Sequence, residues 1–173
     1  ALCCPVNYDP RYLEAIPAEI LERDYGCGDP SQFVQPGDTV LDLGSGAGKI
    51  CYIAAQMVGP SGKVVGVDSN ADMLALARKY QPAVAARLGY DNVAFYRARI
   101  QDLRLSLDEV DAYLRARPVR TATQLAEFEA FAERLRVSAP PLADDSVDVV
   151  MSNCVLNLLA DSEKQQIFSE IFR

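Results

Sequence analysis

Residues 39–58 read TVLDLGSGAGKICYIAAQMV and combine a strand pattern, a glycine loop and a helix pattern. The first five residues of this stretch form a short apolar run, which is typical of a buried parallel strand. From position 49 onward the apolar residues 50, 53, 54 and 57 follow helical spacing. The glycines between these two segments permit unusual backbone angles and let a ligand approach the main chain. A strand, a glycine loop and a helix in this order predict the ligand-binding start of an α/β sheet.

The alternation of strands and helices continues along the chain. An N-terminal helix, with Pro17 at its first helical position, ends in a loop that contains Cys27, and a long helix covers residues 70–88. Further strands are predicted at 63–68, 93–98 and 147–153. We therefore expect an α/β fold with a doubly wound parallel sheet. In domain terms, residues 1–30 form an N-terminal helical segment with a cysteine loop, and residues 31–173 form the sheet domain.

Residues 104–140 interrupt this alternation between the third and fourth strands. Two capping boxes, Ser106-x-x-Glu109 and Thr121-x-x-Gln124, each open an amphipathic stretch, which predicts a helical pair. The insertion is expected to be a structural cap on the sheet, with a lid or a partner surface as the alternative. The chain stops at Arg173 inside a predicted helix and provides four strands, so we expect a sheet truncated after the fourth.

Composition narrows the possible partners and chemistry. The 173 residues carry 17 Lys+Arg against 24 Asp+Glu, and the net charge of -7 opposes binding to nucleic acid. The sequence contains no histidine, which excludes Ser-His-Asp and Cys-His catalysis. No apolar run is long enough to span a membrane, and the first residues lack the pattern of a signal peptide, so no membrane partner is expected.

The chain has five cysteines, an odd set without a C-x-x-C pair. This set fits neither a secreted disulfide framework nor a zinc ribbon. Free thiols in a reducing compartment fit better, and we therefore expect a cytoplasmic protein. Cys51, which follows the glycine loop, is expected to be a small buried hydrophobic residue.

The glycine loop indicates what the site can hold. The pattern Asp42-x-Gly44-x-Gly46-x-Gly48 is neither the dinucleotide fingerprint nor the loop of a phosphate-binding NTPase. Asp68 ends the second strand, where a carboxylate can accept hydrogen bonds from ribose hydroxyls. The two acidic residues would suit a ligand that carries positive charge.

With these residues in place, the stretch from Val40 to Asp68 resembles the class I S-adenosylmethionine-dependent methyltransferases, which have a Rossmann-like sheet. The resemblance implies S-adenosylmethionine as cofactor. It implies that Ser69 and Met73 flank the adenosine end, that Ile100 and Gln101 meet the adenine, and that Asn153 lies near the reacting methyl; core packing is the alternative for Met73. The implied cofactor-binding residues are Tyr25, Asp42, Gly44, Ser45, Gly46, Gly48, Asp68, Ser69, Met73, Ile100, Gln101 and Asn153.

Two phrases narrow the family further. Tyr-Gly-Cys-Gly at 25–28 and Ser-Asn-Cys-Val-Leu-Asn-Leu at 152–158, with a cysteine upstream, resemble the arsenite methyltransferases. The resemblance covers nearly the whole chain except the insertion. It implies that Cys27 and Cys154 bind trivalent arsenic as thiolates and that the arsenic lone pair attacks the sulfonium methyl. It also implies disulfide chemistry with Cys4, or with the adjacent Cys3, as a partner.

The substrate implied by this resemblance is arsenite or its thiol adduct, and the implied reducing partner is glutathione or a thioredoxin-like protein. Two departures from the family stand out: the insertion is unusual, and a further arsenic-binding cysteine would lie beyond Arg173. Two alternatives remain open. The protein could methylate an organic small molecule with the cysteines merely packed, or it could be a metalloid-binding module without transfer activity.

Overall fold

The structure is a computed structural model, and it describes residues 8–23 and 28–173. Its centre is a parallel sheet of four strands in the order β3-β2-β1-β4. The strands are β1 (Thr39–Leu43), β2 (Lys63–Asp68), β3 (Val93–Arg97) and β4 (Val149–Ser152). The predicted α/β class and the predicted strands are confirmed.

Both faces of the sheet are buried, as expected for parallel strands. Val40 and Val64 point into one core together with the helices that follow the strands. Leu41 and Leu43 point into a second core on the opposite face. The chain runs from β1 through β2 to β3 on one side and then returns to pair β4 with β1. This change of direction places a crevice at the carboxyl ends of β1 and β4, which is where ligands bind in such sheets.

Seven α-helices and two short 3₁₀ segments are found in the described part of the chain. Helix α3 has the predicted bounds, and α4 starts after Asn70, whose side chain accepts hydrogen bonds from the backbone of Asp72 and Met73. The helices are α1 (Pro10–Leu13), α2 (Ala18–Glu22), α3 (Lys49–Val58), α4 (Ala71–Leu88), α5 (Leu107–Ala116), α6 (Ala122–Ser138) and α7 (Asp161–Phe172), and the 3₁₀ segments are Pro30–Phe33 and Leu156–Leu158.

The N-terminal helix differs from the sequence-based expectation. Pro17 is the residue before α2 and has an extended backbone, with φ -61° and ψ 142°, so it is not the first helical residue. The ring of proline fixes φ but leaves ψ free, which is why the sequence placed the start of this helix inaccurately. A separate turn of helix, α1, precedes it and is capped by Asp9.

The insertion forms the predicted pair of helices, α5 and α6. Both halves of the capping box at Thr121 are present, and the Ser106 side chain accepts the backbone N–H of Glu109. The two helices pack through Tyr113, whose ring stacks on Phe131 with centroids 4.2 Å apart. The description of this pair as a structural cap stays a prediction.

Within residues 8–23 and 28–173, the helices are all too short or too polar to cross a membrane.

Candidate functional site

The glycine loop follows β1 and is hydrogen-bonded to the neighbouring strand β2. The backbone N–H groups of Gly44 and Ser45 both donate to the carbonyl oxygen of Val67, at 2.8 and 3.0 Å. Gly44 has a φ of +80°, and a Cβ atom there would lie 2.3 Å from Cγ2 of Val155. Glycine at this position is therefore required both by the backbone and by the loop after β4 that packs against it.

Two cavities open beside this loop. The first, which we call the glycine-loop cavity, has a volume of about 360 Å³ and is lined by Ile20, Arg23, Asp42, Gly44, Ser45, Gly46, Ala47, Lys49, Ile50, Asp68, Asn70, Met73, Asn153, Cys154, Val155 and Leu158. The second, the Gln101 cavity, has a volume of about 400 Å³ and is lined by Gly44, Asp68, Ser69, Arg99, Ile100, Gln101, Val155, Leu158 and Leu159. The shared residues Gly44, Asp68, Val155 and Leu158 make the two cavities neighbours, so together they suit an elongated ligand.

Asp68 stands at the junction of these cavities, at the end of β2. One of its carboxylate oxygens accepts the backbone N–H of Gly46 at 2.8 Å, and the other accepts that of Asn70 at 2.8 Å. A carboxylate offers about four acceptor positions, so this group can still accept hydrogen bonds from a ligand. Asp68 therefore joins the glycine loop to the start of α4 and presents acceptor capacity to both cavities.

Asp42 is buried beneath the glycine loop, with 2% of its surface exposed. Burial raises the pKa of its carboxyl group to about 7, opposed by a hydrogen bond from the Cys51 thiol and reinforced by the charge of Asp68. The donor Sγ of Cys51 lies 3.3 Å from the carboxylate oxygen. The prediction that Cys51 is buried is confirmed, but its bond to Asp42 was not foreseen.

We expect the free energy of unfolding to fall as the pH rises from about 5 to about 7. The raised pKa of Asp42 means that the folded protein keeps a proton which the unfolded chain, with a pKa of 3.8, has already lost. The full effect between pH 3.8 and about 7 corresponds to an upper value of roughly 4 kcal/mol, and the two pH units from 5 to 7 account for at most roughly 3 kcal/mol of it. Urea unfolding at several pH values would measure the slope, and it should flatten in the Asp42→Asn variant.

The lowered pKa values of Glu19 and Glu163 place their titrations below this pH range, so these groups do not obscure the slope. An equal slope in the wild type and in Asp42→Asn would show that Asp42 is not the group responsible.

The loop after β4 lines the glycine-loop cavity and is hydrogen-bonded to the segment at Gly28, which is distant in the sequence. The side-chain amide of Asn153 donates to the carbonyl oxygen of Gly28 at 3.0 Å, and the hydroxyl of Tyr8 donates to the same oxygen at 2.6 Å. Cys154 follows directly and has a φ of +56°, an uncommon conformation for a residue other than glycine. Such backbone strain is concentrated at functional sites, where the surrounding structure maintains it.

The two cysteines in the described part of the chain differ in state. Cys51 is a free thiol, whereas Cys154 is disulfide-bonded. The expectation of free thiols is therefore wrong for Cys154, because spacing along the sequence does not tell which sulfur atoms the fold brings together. The predicted site residues Cys4, Cys27 and Tyr25 lie outside the described residues, as does Cys3.

Apart from Gly48, the other predicted site residues line one or both of the two cavities. Ser69, Ile100 and Gln101 line the Gln101 cavity, and Met73 lines the glycine-loop cavity, so Met73 and Ser69 face different spaces. Gly48 lines neither and instead precedes α3 as its cap, with a φ of +86°. The glycine-loop cavity is also lined by the predicted residues Ser45, Gly46, Asn153 and Cys154.

Two charged residues at the site were missed by the sequence analysis. Lys49 is only 7% exposed, lines the glycine-loop cavity, and holds its ammonium nitrogen 3.9 Å from the ring centroid of Tyr8. Glu163 accepts the side-chain amide of Gln101 at 2.8 Å and links α7 to the Gln101 cavity. The signal for Lys49 was a single charge at the start of an otherwise apolar helix, whereas nothing in the sequence indicated Glu163.

A family model described as a methyltransferase domain matches residues 34–137. The arsenite methyltransferase of Aquipseudomonas alcaligenes is 35% identical over 99% of this chain and 40% of its own length. That of Halobacterium salinarum is 37% identical over 97% of this chain and 32% of its own. This chain thus spans 40% or less of the length of these two relatives.

Solved structures show the same similarity. CrArsM, an arsenic (III) S-adenosylmethionine methyltransferase from Chlamydomonas reinhardtii, aligns with a TM-score of 0.68 and 30% identity over 96% of this chain and 44% of its own. A SAM-dependent methyltransferase from Aquifex aeolicus aligns with a TM-score of 0.51 and 22% identity over 95% of this chain and 61% of its own, which shows the shared fold alone.

Proposed function

Because this chain belongs to the methyltransferase domain family, we propose that it binds S-adenosylmethionine and directs methyl transfer to trivalent arsenic held by cysteine thiolates. The cofactor part rests on the two neighbouring cavities and their carboxylates. The substrate part rests on the contact between the Asn153 and Gly28 segments. Each part is tested by a separate measurement.

The residues that line the cavities fit the proposed cofactor. Ser45 has a buried hydroxyl oxygen without a hydrogen-bond partner among residues 8–23 and 28–173, and it lines the glycine-loop cavity. A buried polar group of this kind costs free energy unless a ligand satisfies it. Asp68 would hold the ribose hydroxyls, and Asp42, whose pKa is about 7, would in its ionised form favour the positive charge at the other end. When bound, S-adenosylmethionine supplies a methyl group activated by a positively charged sulfur.

The observation that carries the arsenic proposal is the hydrogen bond from Asn153 to Gly28. Gly28 directly follows Cys27 in the sequence, and Asn153 directly precedes Cys154. The bond therefore joins the immediate neighbours of the two cysteines, and Tyr8 supports the same carbonyl from a third segment. This arrangement supports a site in which both sulfur atoms bind one soft arsenic atom at the mouth of the glycine-loop cavity.

The chemistry of this site would depend on a reducing agent. A sulfur atom in a disulfide cannot act as a thiolate ligand, so Cys154 must first be reduced by two electrons. In methyl transfer the arsenic lone pair would form an As–C bond while the S–CH3 bond of the cofactor breaks, leaving S-adenosylhomocysteine and pentavalent arsenic. The return of arsenic to the trivalent state then requires two further electrons. We propose glutathione or a thioredoxin-like protein as their source and Cys4 or Cys3 as the internal partner.

This proposal requires no general base. The attacking atom is arsenic with its own lone pair, so no proton has to be removed before transfer, in agreement with the absence of histidine from the sequence. The protein would act mainly by holding the arsenic and the methyl group in line. We further propose a small-molecule substrate, no nucleic-acid partner and a reducing, cytoplasmic location.

Binding experiments test the two parts separately. The full-length protein, reduced with glutathione, should bind arsenite in equilibrium dialysis. The same protein should bind S-adenosylmethionine in calorimetric titration. Cofactor binding without arsenite binding would favour an organic substrate. Arsenite binding without cofactor binding would favour a metalloid-binding module.

A further inference from the structure

The first turns of α5 carry acidic side chains against the end of β3. Arg97 is the last residue of β3, and its guanidinium group forms an ion pair with Asp111, with an N···O distance of 2.5 Å. Asp108 lies 3.9 Å from the same group and also pairs with Arg78 at 3.1 Å. The insertion is therefore attached by charge to the sheet and to α4.

Arg97 also reaches the turn that follows β2. Its Nε atom donates a hydrogen bond of 3.2 Å to the carbonyl oxygen of Ser69. Arg97 pairs with Asp68 in the register of β2 and β3, and the backbone N–H of Ala98 donates to the carbonyl of Asp68 at 3.1 Å. The turn at Asp68 and Ser69 is thus held from the β3 side, and both of these residues line the Gln101 cavity.

We propose that Asp111, within the insertion, is a positioning residue for the nucleoside end of the cofactor. It fixes the Arg97 guanidinium, which in turn holds the Ser69 carbonyl and so sets the position of Asp68. This inference rests on the proposed binding of S-adenosylmethionine, but it does not depend on arsenic as the substrate. It makes the insertion a part of the cofactor site and not merely a cap on the sheet.

The physical reason lies in the geometry of the guanidinium group. Its planar fork donates in fixed directions, so one edge can pair with a carboxylate while the Nε–H bonds to a carbonyl. Without Asp111 the Arg97 guanidinium, whose side chain is 21% exposed, keeps only the longer 3.9 Å pair with Asp108 and the bond to Ser69, so its direction is less firmly fixed. The partner Asp111 is 42% exposed, so solvent screens the pair and the expected effect is moderate.

The test is the affinity for S-adenosylmethionine, measured by calorimetric titration on the full-length protein. Asp111→Asn should raise Kd by about two- to fivefold, the range expected for the loss of a solvent-screened ion pair. Asp111→Glu should restore part of the affinity. Glu109→Gln, which removes an exposed charge from the same helix, is the matched control and should leave Kd unchanged.

A double-mutant cycle separates positioning from general loosening of the fold. Arg97→Lys keeps the charge but has no Nε–H for Ser69, so it should weaken binding as much as Asp111→Asn, and the double variant should be no weaker than either. Additive losses, or an Asp111→Asn protein that binds as the wild type does, would overturn the inference. If the wild type itself failed to bind the cofactor, the proposed function would fall instead.

Discussion

Replacing Cys154 with serine is expected to abolish arsenite methylation while S-adenosylmethionine still binds. Cys154 lines the glycine-loop cavity, and its neighbour Asn153 is bonded to Gly28, the residue after Cys27. A hydroxyl is a harder ligand than a thiolate and does not replace the lost arsenic–sulfur bond. Methylated arsenicals would be separated and counted after incubation with arsenite, glutathione and labelled cofactor, under conditions that keep the wild type reduced.

Cys51→Ser is the matched control for this experiment. The serine hydroxyl can still donate to Asp42, as the thiol does at 3.3 Å, so we expect methylation to persist with a loss of stability of about 1 kcal/mol. If Cys154→Ser methylated arsenite at the parental rate, the proposal that Cys154 binds the arsenic would be wrong.

Replacing Asp68 with alanine is expected to weaken S-adenosylmethionine binding by a hundredfold or more. Two charge-assisted hydrogen bonds to the ribose would be lost, each worth about 1.5 to 3 kcal/mol. In addition, the backbone N–H groups of Gly46 and Asn70 would lose the carboxylate that accepts them at 2.8 Å. The variant therefore loses both direct contacts with the ligand and the anchor between the glycine loop and α4.

Calorimetric titration measures this affinity, and circular dichroism shows whether the variant is folded. Asp72→Ala, which removes an exposed acidic residue from the first turn of α4, should bind as the wild type does. Unchanged affinity in a folded Asp68→Ala protein would mean that the cofactor lies elsewhere.

The sequence was sufficient to predict the elements around the glycine loop. The bounds of β1, β2 and α3 agree with the sequence-based prediction. Each of these segments is a short apolar or helically spaced run between glycine or proline turns, so local chemistry sets both of its ends. The same holds for α6, whose start at Ala122 follows the capping box at Thr121.

The contacts that build the candidate site could not be predicted in this way. Asn153 and Gly28 are 125 positions apart, and Arg97 and Ser69 are 28 apart, so no local pattern links them. Arg97 and Ser69 meet because the parallel strands β2 and β3 end at the same edge of the sheet, whereas Gly28 reaches Asn153 from the segment that precedes β1. The family resemblance implied that Cys27 and Cys154 bind one arsenic atom, but nothing in the sequence indicated which backbone carbonyls the neighbouring side chains would hold.

The burial of two charged residues, Lys49 and Asp42, could not be predicted from the sequence either. Lys49 and Asp42 are both less than a tenth exposed, although the sequence shows them only as residues beside a glycine loop. Their burial follows from packing by Tyr8, which is distant from the loop in the sequence, and by helix α3, which follows the loop. Only the folded structure shows that the pKa of Asp42 is raised.

The most direct test of methyl transfer to arsenic follows the methyl group itself. The full-length protein is incubated with S-adenosylmethionine that carries a deuterated methyl group, together with arsenite and glutathione, and the arsenicals are separated by chromatography and weighed by mass spectrometry. We expect methylated arsenic that carries the deuterated methyl and forms only when enzyme and cofactor are both present. Arsenite recovered unmethylated, from a protein that demonstrably binds both ligands, would contradict this expectation.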